Sequence, residues 1–170
     1  MKLLGRAAVL VLILTLCAQA KSSAQQVFFI FGHGVWANPS DKNFKDTHKT
    51  GLGVEGGGAI GWNKTFIVGT VGYSSFGADG SNTNGSLSYV PLKAGLRQYI
   101  FSKLIYIHGD LGIATVKDDA GSRSPFSGDF GAGVKLGMFE AQLDYDGFSR
   151  NDPSGYASWI GIKAGINIGL

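Results

Sequence analysis

The chain has 170 residues, enough for one domain, with 27 glycines, four prolines, one cysteine and a formal net charge of +3. Two of the fifteen basic residues, Lys2 and Arg6, sit in the acid-free first twenty residues, leaving 13 basic against 12 acidic residues beyond them; this balance lacks the basic footprint of nucleic-acid binding, and no nucleic-acid partner is expected. The lone cysteine, Cys17, lies in the same stretch, so the rest of the chain offers neither a disulfide framework nor thiolate chemistry.

The leader MKLLGRAAVLVLILTLCAQA has two cations, an apolar run and then small residues, which is the form of a secretory signal and too short for a membrane-spanning helix. Residues 1–24 are expected to be cleaved, with a cut after Ala20 as the alternative. Leu16 before Cys17 is bulky where a lipoprotein site wants a small residue, so Cys17 is read as discarded.

Beyond the leader no window carries a 3.6-residue period. Eight segments do carry strand character: residues 27–37, 50–62, 65–77, 86–100, 103–116, 125–136, 138–149 and 156–170. The breaks at Asn63-Lys64, Phe101-Ser102 and Gly137 are very short, whereas those at 38–48, 79–85, 117–124 and 150–155 are longer and polar. Short and long alternate strictly, as in an up-and-down meander.

Within segments the residues alternate. The seventh runs Phe139, Ala141, Leu143, Tyr145 on one face and Glu140, Gln142, Asp144, Asp146 on the other. The fifth sets Ile105, Ile107, Leu111 and Ile113 against Tyr106, His108 and Asp110; the fourth sets Val90, Leu92, Ala94 and Leu96 against Lys93, Arg97 and Tyr99. Segment one is apolar on both faces over Val27 to Phe31, and Pro91 interrupts segment four, where it is expected at a bulge or near a rim.

In water the apolar face would be inside, giving a lipocalin-type soluble barrel. In a bilayer it would be outside. Three features favour the bilayer. The polar face is glycine-rich and carries both signs of charge, as a narrow lumen requires. The segments match the roughly 9–11 tilted residues that cross a hydrocarbon core. The last segment keeps its alternation to the carboxyl end. A lipid-facing Lys or Arg at midplane would cost about 2–4 kcal/mol, which selects this register strongly. The expected fold class is therefore all-β: an eight-stranded antiparallel up-and-down transmembrane β-barrel over residues 25–170, in the outer membrane of a Gram-negative cell, with both termini periplasmic.

The stretches SYVPLKAGLRQYI, KLIYIHGDLGIA, FSGDFGAGVKLGMFEAQLDYDGFS and SWIGIKAGINIGL together resemble the outer-membrane β-barrel domain family, the small eight-stranded "porin family" barrels of OmpA/OmpX-like architecture. The resemblance covers essentially the whole chain after the leader. It implies the fold, a place among outer-membrane lipid and lipopolysaccharide, and handling by periplasmic chaperones and the barrel-assembly machinery. It implies no catalytic residues. One departure is Leu170, where many such barrels end in Phe or Tyr.

The inward charges are the candidate site: a lumen network of Glu55, Lys93, Arg97, His108, Asp110, Asp129, Lys135, Glu140, Asp144 and Lys163. Five acids against four bases read as a plug in which opposite signs pair; the alternative is a narrow passive channel whose charges set ion preference. Other signals are weaker. Gly51-Leu-Gly53-Val-Glu-Gly56 matches a dinucleotide pattern without the following helix that chemistry needs. Gly34-Val-Trp36 alone is a slender basis for a lipocalin. His33, His48 and His108 show no metal-ligand spacing, and neither His48 nor His108 has a recognisable serine partner, so an outer-membrane lipid enzyme ranks behind the plug and the channel. Trp36, Trp62, Trp159 and Tyr156 are candidate interface anchors. No cofactor, metal or catalytic residue is expected, and the sequence leaves the oligomeric state open.

Overall fold

The computed structural model describes residues 26–79, 85–101, 103–150 and 155–169. The expected signal peptide, most of the loops 79–85 and 150–155, and Leu170 lie outside these residues. The elements in chain order are β1 (Gln26–Pro39), α1 (Lys42–Lys45), β2 (His48–Trp62), β3 (Thr65–Ala78), β4 (Leu87–Phe101), β5 (Ile105–Asp118), β6 (Gly121–Arg123), β7 (Phe126–Leu136), β8 (Phe139–Ser149) and β9 (Tyr156–Gly169).

Every long strand pairs antiparallel with its neighbour in the chain, β5 pairs with β7, and β1 pairs with β9 to close the sheet on itself. The result is a closed antiparallel barrel of eight strands, with β6 as a three-residue extension that folds back on the end of β5. Two short elements fall inside stretches expected to be loop. One is α1, capped by the Asp41 carboxylate, which accepts from the Phe44 amide at 3.0 Å. The other is β6, reached through Gly121 at φ +135.

Burial follows the alternation. Leu52, Leu143, Phe139 and Ile162 are exposed, at 66, 58, 67 and 47 %, while their chain neighbours Gly51, Gln142, Glu140 and Lys163 are buried. The apolar face is therefore the outside of the barrel, and the face bearing the charges is the lumen. Trp36 and Trp62 point outward near opposite rims, as interface anchors would. Trp159 does not: it is 2 % exposed and lies inside the barrel against Phe76 and Tyr89.

Pro91 sits neither at a register-shifting bulge nor at a rim. The β3–β4 ladder runs from Thr65↔Gln98 to Val71↔Leu92 and resumes at Ser74↔Tyr89 in the same register. The proline has no N–H to give, so the pairing is interrupted for two residues and then continues.

Lumen glycines make room for large neighbours. Gly131 lies opposite Asp144, and a Cβ there would collide with the Asp144 side chain and the Leu143 carbonyl.

Candidate functional site

The lumen is filled in three layers. At the long-loop rim an apolar cluster includes Val35, Phe44, Phe76, Leu87, Phe148 and Trp159. Phe44, from α1, is 1 % exposed and packs its ring against His48, Phe76 and Trp159 at 4.8, 5.1 and 5.9 Å, so the loop helix stoppers this mouth. At the short-turn rim a second cluster holds Phe29, Phe31, Phe66, Tyr99 and Tyr106. The ionic layer lies between.

Register explains why that layer has to be a network. Asp110 lies directly opposite Asp129, and Asp129 directly opposite Asp146, so β5, β7 and β8 bring three carboxylates into a row. Like charges directly opposed destabilise a sheet. Cations from elsewhere around the barrel answer them. Lys93 on β4 donates to Asp129 and, at 2.9 Å, to Asp146, whose other oxygen accepts from the Tyr89 hydroxyl at 3.1 Å. Lys163 on β9 reaches Glu55 at 2.7 Å, Asp144 at 2.9 Å and Asp129 at 3.9 Å. His108 sits between Asp110 (Nδ1, 3.1 Å) and Asp144 (Nε2, 2.8 Å).

Towards the short-turn rim, Glu140 is the hub. It accepts from Arg97 at 3.0 Å, Asn167 at 2.6 Å and Gln142 at 2.9 Å, and lies 3.0 Å from His33 Nε2. The Arg97 guanidinium also lies over the rings of Tyr106, Phe29 and Phe31, at 4.2, 5.2 and 5.2 Å, which joins the ionic layer to the aromatic one.

Of the expected residues, Glu55, Lys93, Arg97, His108, Asp110, Asp129, Glu140, Asp144 and Lys163 come together in this layer. Lys135 does not pair with a carboxylate. It lies opposite Glu140 in register, but Glu140 is taken from inside the lumen, and Lys135 instead donates to Asn167 Oδ1 at 2.7 Å at the short-turn mouth. Asp146, His33, Gln142, Asn167 and Tyr89 complete the network, though none of them was among its expected members. The alternation of β8 marks Asp146 and Gln142 as inward; nothing in the sequence reveals which partner each one meets across the lumen.

The charge count changes accordingly. Six carboxylates (Glu55, Asp110, Asp129, Glu140, Asp144, Asp146) face three full cations (Lys93, Arg97, Lys163). His33, with Glu55 at 3.6 Å and Glu140 at 3.0 Å, has a carboxylate at each ring nitrogen, as His108 does. His108 can donate to both of its carboxylates only when its ring carries two protons, and the same form of His33 donates to Glu140 while its other N–H faces Glu55 at 3.6 Å, beyond hydrogen-bond length. In that form the acidic excess falls from three to one.

His108, Asp110 and Asp129 place ligand atoms within 4.8 Å of one another, a grouping of the kind that holds metal ions and one that spacing along the chain did not reveal. Lys93 and Lys163 already lie against Asp129, so ammonium groups stand where a cation would act. His48, the other candidate for lipid chemistry, is stacked on Phe44 and bonded through Nδ1 to Thr47 Oγ1 at 2.7 Å.

No protein-family model and no curated protein sequence matches the chain. Solved structures do. Ail, the attachment invasion locus protein of Yersinia pestis, superposes over 86 % of this chain and 100 % of its own, at 15 % identity and a TM-score of 0.50 in the crystal, and at 17 % and 0.51 in a phospholipid bilayer nanodisc. Neisserial surface protein A (NspA) covers 83 % of this chain and 96 % of its own, at 13 % identity and a TM-score of 0.51. At such identities the likeness is one of fold, that of the eight-stranded transmembrane β-barrel.

Proposed function

We propose that this chain, an eight-stranded transmembrane β-barrel, is a non-conducting, non-catalytic protein of the Gram-negative outer membrane that works as a structural and interaction element of the envelope. Its short-turn rim and both termini face the periplasm, and its long loops face outward. The observation that carries this reading is the stacking of lumen layers, with an apolar cluster on each side of a paired ionic layer and Phe44 stoppering the long-loop mouth. An ion crossing the barrel would have to displace rings at both ends and break ion pairs between them.

The reading leaves the outside of the protein to act. The apolar wall meets lipid, the long-loop rim meets lipopolysaccharide and whatever the loops touch, and chaperones and the barrel-assembly machinery deliver the chain. Ail, an attachment invasion locus protein by name and an outer membrane protein, has the same fold. Among the described residues, neither histidine considered for catalysis is bonded to a serine, His108 being held by carboxylates and His48 by Thr47.

Two measurements test the reading together. The refolded chain run unboiled beside boiled in SDS should shift in mobility, as closed barrels do, and in planar bilayers it should give no single-channel steps. A heat shift accompanied by regular conductance steps would overturn the plug and establish the narrow passive channel instead.

A further inference from the structure

The short-turn mouth contains a cavity that the plug does not fill. Its volume is about 330 Å³, at the small end of pockets that take small molecules. The floor is aromatic: Phe29, Phe66 and Tyr99, with ring centroids 5.1 Å apart for Phe29 and Phe66 and 5.6 Å for Phe66 and Tyr99. Lys103 and Lys135 line it as well.

These two ammonium groups differ from those deeper in the lumen. Among the described residues, the charged groups of this rim are Lys64, Lys103 and Lys135, and none of them makes an ion pair with a carboxylate. Lys135 is held in place by Asn167 and lies 5.6 Å from the centre of the Phe29 ring, so its charge is presented at the edge of the apolar floor. Glu140, which shares Asn167 with it, is already committed to Arg97 and His33.

An aromatic floor under unneutralised cations is complementary to a molecule with an anionic head and an apolar body. A bare ion would leave the rings uncovered, and a neutral apolar guest would leave the lysines unanswered. We infer that the short-turn mouth is a binding site for an anionic amphiphile, with its carboxylate or phosphate between Lys103 and Lys135 and its hydrocarbon or aromatic part on Phe29, Phe66 and Tyr99. Such a ligand has two sources: a single-chain acidic lipid from the adjoining leaflet, or a soluble carboxylate from the compartment this rim faces.

The test uses the full mature chain in phosphatidylcholine nanodiscs, followed through the backbone amide resonances of Leu104, Gly137 and Gly169. Four probes are titrated: oleate, which partitions into the disc; 4-phenylbutyrate, which stays in solution; inorganic phosphate; and 4-phenylbutanol, the uncharged counterpart. Saturable shifts with oleate or phenylbutyrate, and none with phosphate or the alcohol at the same concentrations, are expected. The anion that saturates at the lower concentration identifies the source. Lys103→Gln with Lys135→Gln should weaken binding tenfold or more while the heat shift on gels is kept; Lys103→Gln alone, at an exposed turn residue, should weaken it in the same direction. Equal shifts with phosphate would mean an adventitious ion only, and equal shifts with the alcohol an apolar crevice only; either result, or no shift with both anions, overturns the inference. None of these outcomes bears on conductance, so the plug stands or falls separately.

Discussion

Lys163→Met keeps the length of the side chain and removes its charge from the centre of the ionic layer. The residue is 2 % exposed, and its ammonium serves Glu55, Asp144 and Asp129. Removing one partner of a buried ion pair costs about 3–5 kcal/mol, because the remaining charge is left in low dielectric without compensation. Here Glu55 loses its nearest cation and keeps only His33 at 3.6 Å, while Asp144 keeps His108 and Asp129 keeps Lys93; the layer already has an acidic excess, so the loss should fall in that range rather than below it. With a urea dependence of about 2 kcal/mol per molar, the unfolding midpoint should drop by roughly 1.5–2.5 M. The assay is urea unfolding in phosphatidylcholine vesicles, read by tryptophan fluorescence. The control is Lys49→Met, whose exposed pairing with Asp79 at 3.7 Å should be worth at most about 1 kcal/mol. Adding Glu55→Gln to Lys163→Met should restore part of the loss, since it neutralises one orphaned carboxylate. If Lys163→Met and Lys49→Met unfolded at the same urea concentration, the ionic layer would not be a paired network and the reasoning would be refuted.

Leu143→Arg, on the outer face near the middle of β8, should cost about 2–4 kcal/mol in vesicles, and Met138→Arg, at the short turn, no more than about 1 kcal/mol; equal penalties would argue against a lipid-facing belt. Phe44→Ala should let water into the long-loop mouth without opening a pore. In a Trp36→Phe/Trp62→Phe background, Trp159 emission should move to the red and become quenchable by iodide while bilayer conductance stays absent. Gly165→Ala should block refolding as judged by the heat shift, because the new Cβ would run into the Gly32 backbone; Gly34→Ala, whose Cβ would sit 3.8 Å from the Ala164 carbonyl oxygen, should refold normally.

The eight strands, their order and the outward face of the clearly alternating later ones were legible in the sequence, because a period of two is set locally and a charge at one position fixes the register for the whole strand. Expected and observed bounds differ by only a few residues, as at β4 (expected 86–100, found Leu87–Phe101) and β7 (expected 125–136, found Phe126–Leu136). Where both faces are apolar the period carries no such information. Phe29 and Phe31 turn inward at the end of β1 because the lumen there is an aromatic layer, which Val27 to Phe31 alone could not reveal. Trp159 is misleading for the same reason: a tryptophan near a rim fits an anchor and a stopper equally well. The membership of the ionic layer was largely legible; its pairings were not. Who meets whom across a lumen depends on strand tilt and closure, and only that geometry sends Lys163 to Glu55 and leaves Lys135 to Asn167.

The ionic layer joins residues that are far apart along the chain. Lys163 and Glu55 are 108 positions apart, and His33 and Glu140 are 107. The carboxylate row formed by β5, β7 and β8 exists as soon as those three neighbouring strands pair, but Lys163, which lies 3.9 Å from Asp129, arrives with β9, and Lys93 arrives with β4. A partly assembled sheet would therefore present lone charges to hydrocarbon, each costing several kcal/mol. Pairing that depends on such long sequence separations is late and slow. Hairpins of this chain should consequently wait at the membrane surface and cross only as the sheet closes, so that insertion and closure are one event.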